Sequence, residues 1–328
     1  MKVLGMGNAL VDVLARIADD KLLETLNLPK GSMQLIDEKR FAELSDEIQK
    51  LNAEVVSGGS AANTIVGLAC LDIKTGFIGR IGKDTFGKRY RDDLLKYGVA
   101  PLLSEVDETS GVATTFISQD GERTFGTYLG AAALLHANEL DKQQFEGYDY
   151  FYIEGYLVQS YDLIRQAIYM AKEAGLKVIL DFASYNVVEE SKDFLLEIIP
   201  SQVDIVFANE EEAKSLYGKD VTPEEAVSRL AEMVEVAIVK AGANGSWAQR
   251  GKEKVFIPAR EVDCVDTTGA GDLYASGFMY GLIHDLSLEK CGLIGALLAE
   301  NVIQVIGPKI TEQQWAAIKP KIQEIIAD

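Results

Sequence analysis

The sequence predicts an α/β protein with a mostly parallel sheet and a second, smaller β-sheet. After residue 145, short apolar runs alternate with helical segments. In the first 130 residues, by contrast, apolar and polar side chains alternate every two residues, which is typical of strands with one exposed face. The chain has 328 residues and no linker rich in Gly, Ser or Pro, so we expect one domain over residues 1–328.

Continuous Val- and Ile-rich runs mark the buried strands of the parallel sheet. They are YDYFYIEG (148–155), LKVILDFAS (176–184), VDIVFAN (203–209) and VEVAIVKAG (234–242). Helical segments separate these runs, and one of them, SKDFLLEIIP, is expected to end at Pro200. Apolar strands that alternate with helices indicate a parallel sheet that is covered on both faces.

The segments with two-residue alternation predict a small sheet that acts as a lid. They lie at 11–18, 32–37 and 107–128, and the last contains the turn signal SQDG. A small sheet over the edge of the parallel sheet would form a lid. Such sheets often pair across subunits to cover exposed strand edges, and the sequence leaves open whether a homodimer forms through this lid.

Charge and cysteine content exclude several classes of partner. A net charge of −19 and a pI of about 4.6 argue against binding to nucleic acid or to anionic membranes. The three cysteines are too widely spaced for a CxxC metal site. Asn8 and Asp12 interrupt the N-terminal segment before a signal-peptide core could form, and no apolar run reaches 18 residues. We therefore expect a cytoplasmic protein that binds a small molecule.

The heptapeptide DTTGAGD (266–272) predicts an anion site. It stands directly before the apolar helical segment LYASGFMYGLI, and Thr267 and Thr268 are expected to cap that helix. The residues Gly269, Ala270 and Gly271 leave backbone N–H groups accessible at the positive end of the helix, where an anion such as phosphate is favoured.

Asp272 ends this loop and needs a separate explanation, because a carboxylate is a poor ligand for phosphate. We interpret it as a general base that takes the proton from a hydroxyl whose oxygen attacks phosphorus. The alternative is an ordinary capped helix in which Gly277 and Gly281 allow close packing.

DTTGAGD resembles the C-terminal signature of the ribokinase-like (PfkB) family of small-molecule kinases, and the resemblance extends over the whole chain. GNALVD (7–12) and SGGSAANT (57–64) resemble the acceptor-binding half of that family. The resemblance implies a ribokinase-like three-layer α/β/α core with a β-sheet lid. It also implies a kinase that uses ATP and Mg²⁺.

The acceptor-binding residues implied by the resemblance suit a sugar ring. Asp12 can hold two vicinal hydroxyls, Asn8 and Asn63 can both donate and accept hydrogen bonds, and Gly58 and Gly59 let the backbone approach the ring. Gln34 falls where the adenosine-kinase branch contacts the nucleoside. From the residues alone, SGGS is equally well a turn and Asn63 an ordinary helical residue.

The remaining site residues are implied for the nucleotide and its ions. Asn209 and Glu212 in FANEEEA match an Asn-x-x-Glu element that organises water around Mg²⁺, although a capped helix with solvated acids explains them as well. Four further matches are expected near ATP, namely Gly242, Gly245, Thr268 and Asn301. Arg123 is expected to reach the phosphates from the lid, and the alternative for it is a solvated arginine in a hairpin. Family members often bind a monovalent cation such as K⁺ beside Asp266, and whether this chain does so is open.

The acceptor is expected to be a nucleoside, with adenosine favoured. GNALVD, KGSMQLID (30–37) and GERTFGTYLGAA (121–132) resemble the adenosine-kinase branch, especially its bacterial members. Leu10 and an aromatic side chain would wall the base, the aromatic candidates being Phe116, Phe125, Tyr128 and Tyr156. A free-sugar kinase for ribose, fructose or 2-keto-3-deoxygluconate is the alternative, and a non-catalytic nucleotide sensor ranks below both.

Overall fold

A computed structural model describes residues 1–119 and 122–327. These residues form two compact units. The first contains Met1–Gly7, Ser60–Ile78 and the chain from His136 onward, and the second contains Asn8–Gly59 and Gly79–Leu135. The three segments predicted for the lid lie in the second unit, apart from Asp120 and Gly121 of the SQDG turn, which are outside the described residues.

Fourteen strands occur in the described residues. They are β1 (Lys2–Met6), β2 (Leu10–Arg16), β3 (Met33–Leu35), β4 (Glu54–Ser57), β5 (Lys74–Gly82), β6 (Val99–Val106), β7 (Gly111–Ile117), β8 (Arg123–Tyr128), β9 (Tyr150–Glu154), β10 (Lys177–Asp181), β11 (Ile205–Asn209), β12 (Val236–Lys240), β13 (Ser246–Arg250) and β14 (Glu253–Ile257).

Twelve α-helices occur in the same part of the chain. They are α1 (Lys21–Thr25), α2 (Glu38–Ile48), α3 (Ser60–Cys70), α4 (Thr85–Lys96), α5 (Tyr161–Glu173), α6 (Tyr185–Glu190), α7 (Lys192–Gln202), α8 (Glu210–Tyr217), α9 (Pro223–Ala231), α10 (Ala270–Ile283), α11 (Leu288–Val302) and α12 (Glu312–Ala327).

The first unit is built on a mostly parallel sheet. Its strands follow the order β14–β13–β12–β11–β10–β9–β1–β5, and β5 passes into the second unit at Gly79, where β6 follows it in the sheet order. The pairs from β5 to β12 are parallel, whereas β12, β13 and β14 are joined by antiparallel pairs. The predicted α/β class with a mostly parallel sheet is confirmed.

The second unit contains the predicted small sheet, with the strand order β3–β8–β7–β2–β4. Parallel pairs join β2 to β7 and β3 to β8, and the other two pairs are antiparallel. Beneath the sheet, α1 and α2 contribute buried side chains such as Leu23 and Leu44 to a core that also includes Ile17 and Phe116. This packing buries one face of the small sheet. Every residue of β7 is buried, so the exposed face that two-residue alternation predicted is not found on that strand.

The expected end of α7 at Pro200 is wrong, because the helix continues to Gln202. Pro200 lies in the last turn, where it removes one backbone donor, and the bond from the N–H of Val203 to the carbonyl of Ile199 still closes that turn. No helix among the described residues has the length and apolar character needed to cross a bilayer.

Helices α10 and α11 approach closely at two glycines. A methyl group on Gly277 would lie 2.6 Å from the carbonyl oxygen of Ile294 and 2.8 Å from the backbone of Gly295, and one on Gly281 would lie 2.7 Å from the sulfur of Cys291. The close-packing role that the sequence suggested for these two glycines is confirmed. It is compatible with a site at the start of α10, since both glycines lie further along the helix.

We expect Gly277→Ala to lower the melting temperature. Alanine is normally favoured over glycine inside a helix by about 0.5–1 kcal/mol, but here the added methyl meets backbone atoms that cannot rotate away. The expected net loss is about 1–3 kcal/mol in the free energy of unfolding. Thermal unfolding followed by circular dichroism measures it, and an unchanged or raised melting temperature would show that α11 shifts without cost.

Candidate active site

Polar residues end four consecutive parallel strands of the first unit. Glu154 ends β9, Asp181 ends β10, Asn209 ends β11 and Lys240 ends β12. The register places Asp181 opposite Glu154 and Asn209 opposite Lys240, so these side chains share one edge of the sheet. Ligands of open α/β sheets bind at this carboxyl edge.

Asp272 lies in the first turn of α10 and is held by α3. Its Oδ1 accepts a hydrogen bond of 2.7 Å from the hydroxyl of Ser60, and its Oδ2 accepts one of 2.9 Å from Nδ2 of Asn63. The main-chain oxygen of Asp272 accepts further bonds from the hydroxyls of Thr64 and Ser276. Two helices distant in sequence therefore fix both the carboxylate and its backbone.

Burial raises the pKa of Asp272 from its usual 3.8 to about 6. The hydrogen bonds from Asn63 and Ser60 favour the ionised form and oppose this shift, the nearby charge of Asp181 adds to it, and that of Lys240 opposes it. A carboxylate with a pKa near 6 is ionised at neutral pH and still accepts a proton readily, as a general base must.

The glycine loop before α10 leaves two backbone donors available. Gly269 has a φ of +76°, and a methyl group there would lie 2.8 Å from Cβ of Pro308. The N–H of Ala270 donates to the carbonyl of Thr267 at 3.2 Å, so this predicted anion donor is engaged. Those of Gly269 and Gly271 have no hydrogen-bond acceptor among the described residues.

The predicted threonine cap is wrong. Gly269 is the residue that precedes the first turn of α10, and no side chain caps that helix. Instead, both the N–H and the hydroxyl of Thr268 donate to Oδ1 of Asp266, while Oδ2 of Asp266 accepts a 2.6 Å bond from the N–H of Gly307. Asp266 is buried, and these bonds use the hydroxyl of Thr268 within the loop instead of at the start of the helix.

A buried polar network that the sequence analysis missed connects Lys240 to Asp272. The Nζ of Lys240 lies 3.2 Å from Oδ2 of Asp181, and the Tyr152 hydroxyl donates to the same oxygen at 2.9 Å. Thr64 then bonds both the Tyr152 hydroxyl and the main-chain oxygen of Asp272. Asp181, Glu154 and Lys240 had one available signal, a charged residue directly at the end of an apolar run.

Asn209 and Glu212 contact each other at the start of α8. The N–H and Nδ2 of Asn209 donate to the two carboxylate oxygens of Glu212, each at 2.7 Å, and Oδ1 of Asn209 accepts from the N–H of Glu212 at 2.9 Å. Glu212 is 1% exposed, so the alternative of a capped helix holds but the solvated acid does not. Burial and the charge of Asp181 raise the pKa of Glu212 to about 7, against the effect of Lys240.

A cavity of about 360 Å³ adjoins the glycine loop within the first unit. Lys240, Ala270 and Gly271 line its end at the loop, and its mostly apolar remainder includes Gly242, Gly245, Pro258, Arg260, Val262, Ala299, Glu300 and Ile303. Asn301, which was predicted to lie near ATP, is not among the lining residues, and its Nδ2 donates to the carbonyl of Leu297. Its neighbour Glu300 does line the cavity. The size and apolar wall suit a flat heterocycle.

The second unit contains most of the residues predicted to bind the acceptor. A methyl group on Gly58 would lie 2.2 Å from Oδ2 of Asp12, and one on Gly59, whose φ is +91°, would lie 2.5 Å from the carbonyl oxygen of Asn8. Both glycines are therefore required by close approach. Gln34 lies on β3 opposite Gly126 of β8.

The second unit also contains the predicted phosphate-binding arginine and three of the aromatic candidates for the base, and these differ in burial. Arg123 begins β8 opposite Ile117. Phe116 is fully buried in the core under the sheet, so the suggestion that it offers aromatic surface to a base is wrong. Tyr128 stacks on Phe41 at 4.9 Å, whereas Phe125 is half-buried.

Comparison with known proteins agrees with this arrangement. The family model described as pfkB family carbohydrate kinase matches residues 31–315. The chain is 35% identical to adenosine kinase from Sinorhizobium meliloti, with 98% of this chain and 99% of that one covered and a TM-score of 0.86. It is also 35% identical to a probable sugar kinase from Rhizobium etli, with 98% of each chain covered and a TM-score of 0.87.

A plant relative shows the same relationship over nearly the whole chain. Adenosine kinase 2 of Arabidopsis thaliana is 29% identical, with 93% of this chain and 94% of the relative covered. The family predicted from DTTGAGD is thereby confirmed. The chain belongs to the pfkB family of carbohydrate kinases and is an ATP-dependent kinase.

Proposed function

We propose that the chain transfers the γ-phosphoryl group of ATP to the hydroxymethyl group of a nucleoside, with adenosine as the favoured acceptor. The observation that carries this proposal is the Asp272 carboxylate, fixed by Ser60 and Asn63 next to the unbonded amides of Gly269 and Gly271. The 35% identity to an adenosine kinase over nearly all of both chains supports the choice of acceptor.

The proposed reaction needs one base and one anion site. As the acceptor oxygen forms its bond to the γ-phosphorus, the hydroxyl proton passes to Asp272. The bond from the γ-phosphorus to the β,γ-bridging oxygen breaks, and that oxygen leaves with the electron pair as part of ADP. The N–H groups of Gly269 and Gly271 stabilise the charge on the transferring group.

We assign Mg²⁺ to the neighbourhood of Asn209 and Glu212, through water. The described residues contain no cluster of three His, Cys, Asp or Glu side chains able to bind a metal directly. The side chains of Asn209 and Glu212 suit Mg²⁺ bound through water, because this ion keeps several waters and takes other ligands from phosphate oxygens. The ion would neutralise phosphate charge.

We assign K⁺ to the side of the glycine loop where Asp266 lies. Both carboxylate oxygens of Asp266 already accept bonds from Thr268 and Gly307, so backbone carbonyls would supply most of its ligands. A cation there would hold the loop in place rather than take part in proton transfer.

The acceptor is assigned to Asn8, Asp12, Gln34, Gly58 and Gly59, with Arg123 on the phosphates. Asn63 donates to Asp272, which favours a positioning role in addition to any contact with the acceptor. The alternative acceptor is a free sugar, which the similarity to a probable sugar kinase favours. A closing lid, a homodimer through it and a cytoplasmic location stay predictions of the sequence.

Replacing the base tests the core of the proposal. We expect Asp272→Asn to lower kcat by about 10²–10⁴ with little change in KM, because only the proton transfer in the transition state is lost. In the wild type, kcat/KM should rise with pH and level off above about 6. Steady-state kinetics with Asp263→Asn, an exposed carboxylate nearby, serve as control. Near-normal turnover of Asp272→Asn would refute the assignment.

The same substitution is expected to stabilise the fold at alkaline pH. The raised pKa of Asp272 means that the folded chain binds its proton more tightly than the unfolded chain, so wild-type stability falls as pH rises from about 3.8 to 6. Asparagine removes this penalty, worth roughly 1–3 kcal/mol at pH 8. The melting temperature of Asp272→Asn should exceed that of the wild type at pH 8 and approach it at pH 4. A lower value at pH 8 would contradict the raised pKa.

A panel of acceptors distinguishes nucleoside from sugar. With ATP and MgCl₂, we expect kcat/KM to be highest for adenosine and at least tenfold lower for ribose and fructose, because only the nucleoside has a base that can pack against apolar side chains. Coupled measurement of ADP release scores all three side by side. A higher value for a free sugar would establish the alternative, and ATP binding without any product would favour a sensor.

A further inference from the structure

Lys240 places an ammonium group at the edge of the sheet where the polar strand ends meet. Its Nζ lies 3.2 Å from Oδ2 of Asp181 and 5.8 Å from the centre of the Phe207 ring. The side chain is only 15% exposed, so the surrounding protein limits the directions that it can take. It lies in the run VEVAIVKAG (234–242), but the sequence analysis gave it no role.

The tip of Lys240 also reaches the glycine loop. A methyl group on Gly271 would lie 3.2 Å from Nζ, and Lys240, Thr267 and Gly271 line the same end of the cavity. The ammonium therefore lies beside Gly271, on the side of the loop that faces the cavity. Of the two cations among the described lining residues, Arg260 and Lys240, only the latter comes close to Gly271 in this way.

The charge balance around the loop requires such a cation. The negative charges of Asp181, Glu212 and Asp272 all raise the pKa of Lys240. Three carboxyl groups therefore surround one ammonium group at the place where a triphosphate would have to bind. Burial alone would lower the pKa of Lys240, but Asp181 and Glu212 outweigh it and raise that pKa, so the side chain stays protonated. Without a fixed positive charge, these acids would repel the phosphates.

We propose that Lys240 is a catalytic residue whose ammonium hydrogen-bonds the transferring phosphoryl group, with Asp181 as the positioning residue that aims it. The inference rests on the proposed function of the glycine loop. Asp181 is 3% exposed and keeps bonds from the Tyr152 hydroxyl and the Ala183 N–H, so it retains partners when the ammonium turns to phosphate. Lys240 keeps all three protons throughout, while the acceptor proton goes to Asp272.

The principal test replaces the ammonium by an uncharged chain of similar length. We expect Lys240→Met to lower kcat by about 10²–10³ and to weaken binding of β,γ-imido ATP about tenfold by calorimetry. The acidic limb of the kcat/KM profile should also move to higher pH, because the charge of Lys240 lowers the pKa of Asp272. Lys240→Arg, which retains the charge, should recover at least tenfold of the lost kcat.

Lys172→Met is the control, because it breaks another lysine–aspartate pair, with Asp204, which directly precedes β11 and so lies at the amino end of that strand. It should leave kcat, analogue binding and the pH limb at wild-type values. Wild-type kcat and an unmoved limb in a folded Lys240→Met protein would overturn the role of Lys240. That result would leave the base assignment standing, since the latter depends on Asp272→Asn.

Asp181→Asn provides a second test, and it decides the matter if Lys240→Met does not fold. Because the charge of Asp181 raises the pKa of Asp272, its removal should move the acidic limb to lower pH, opposite to the Lys240 variant. We expect kcat to fall about tenfold as the ammonium loses its support. Wild-type kcat with an unmoved limb would contradict the proposed pair, whereas a general loss of packing would change the melting temperature without shifting the limb.

Discussion

The polar structure of the first unit depends on the hydrogen bonds that α3 donates to Asp272. Ser60 and Asn63 engage the two carboxylate oxygens, and Thr64 engages the main chain. The carboxylate also lies in the first turn of α10, where the helix dipole favours an anion. Desolvation still prevails, so the group combines a fixed position with a readily exchanged proton.

This contact constrains the size of the surrounding residues. Helices α3 and α10 meet where a methyl group on Gly67 would lie 2.4 Å from the hydroxyl of Ser276, and Gly269 lies against Pro308. At Gly277, the residue after Ser276, α10 packs on α11. The many small residues of this region therefore set how closely three helices approach, and only those in the loop itself leave amides available for an anion.

Much of the fold and part of the site could be predicted from the sequence, because both depend on local patterns. Apolar runs between helices marked β9 to β12, and DTTGAGD marked the loop and its acid. The roles proposed for Lys240 and Asp181 were not predicted, because they depend on strand register, which a single sequence does not show. Every residue of β7 is buried, which two-residue alternation does not reveal, and so the expectation that Phe116 offers surface to a base was wrong. The threonine cap was not found because the hydroxyl of Thr268 donates to the carboxylate of Asp266 instead.

The division of the chain into two compact units has an evolutionary consequence. Asp272, Lys240 and Asp181 belong to the first unit, while Asp12 and Gln34 belong to segments that form the second. With the acceptor bound by Asp12 and Gln34 as proposed above, substitutions in those segments would alter which alcohol is recognised and leave the groups proposed for phosphoryl transfer unchanged. Diversification of specificity on a constant reactive framework is consistent with equal resemblance to an adenosine kinase and a probable sugar kinase.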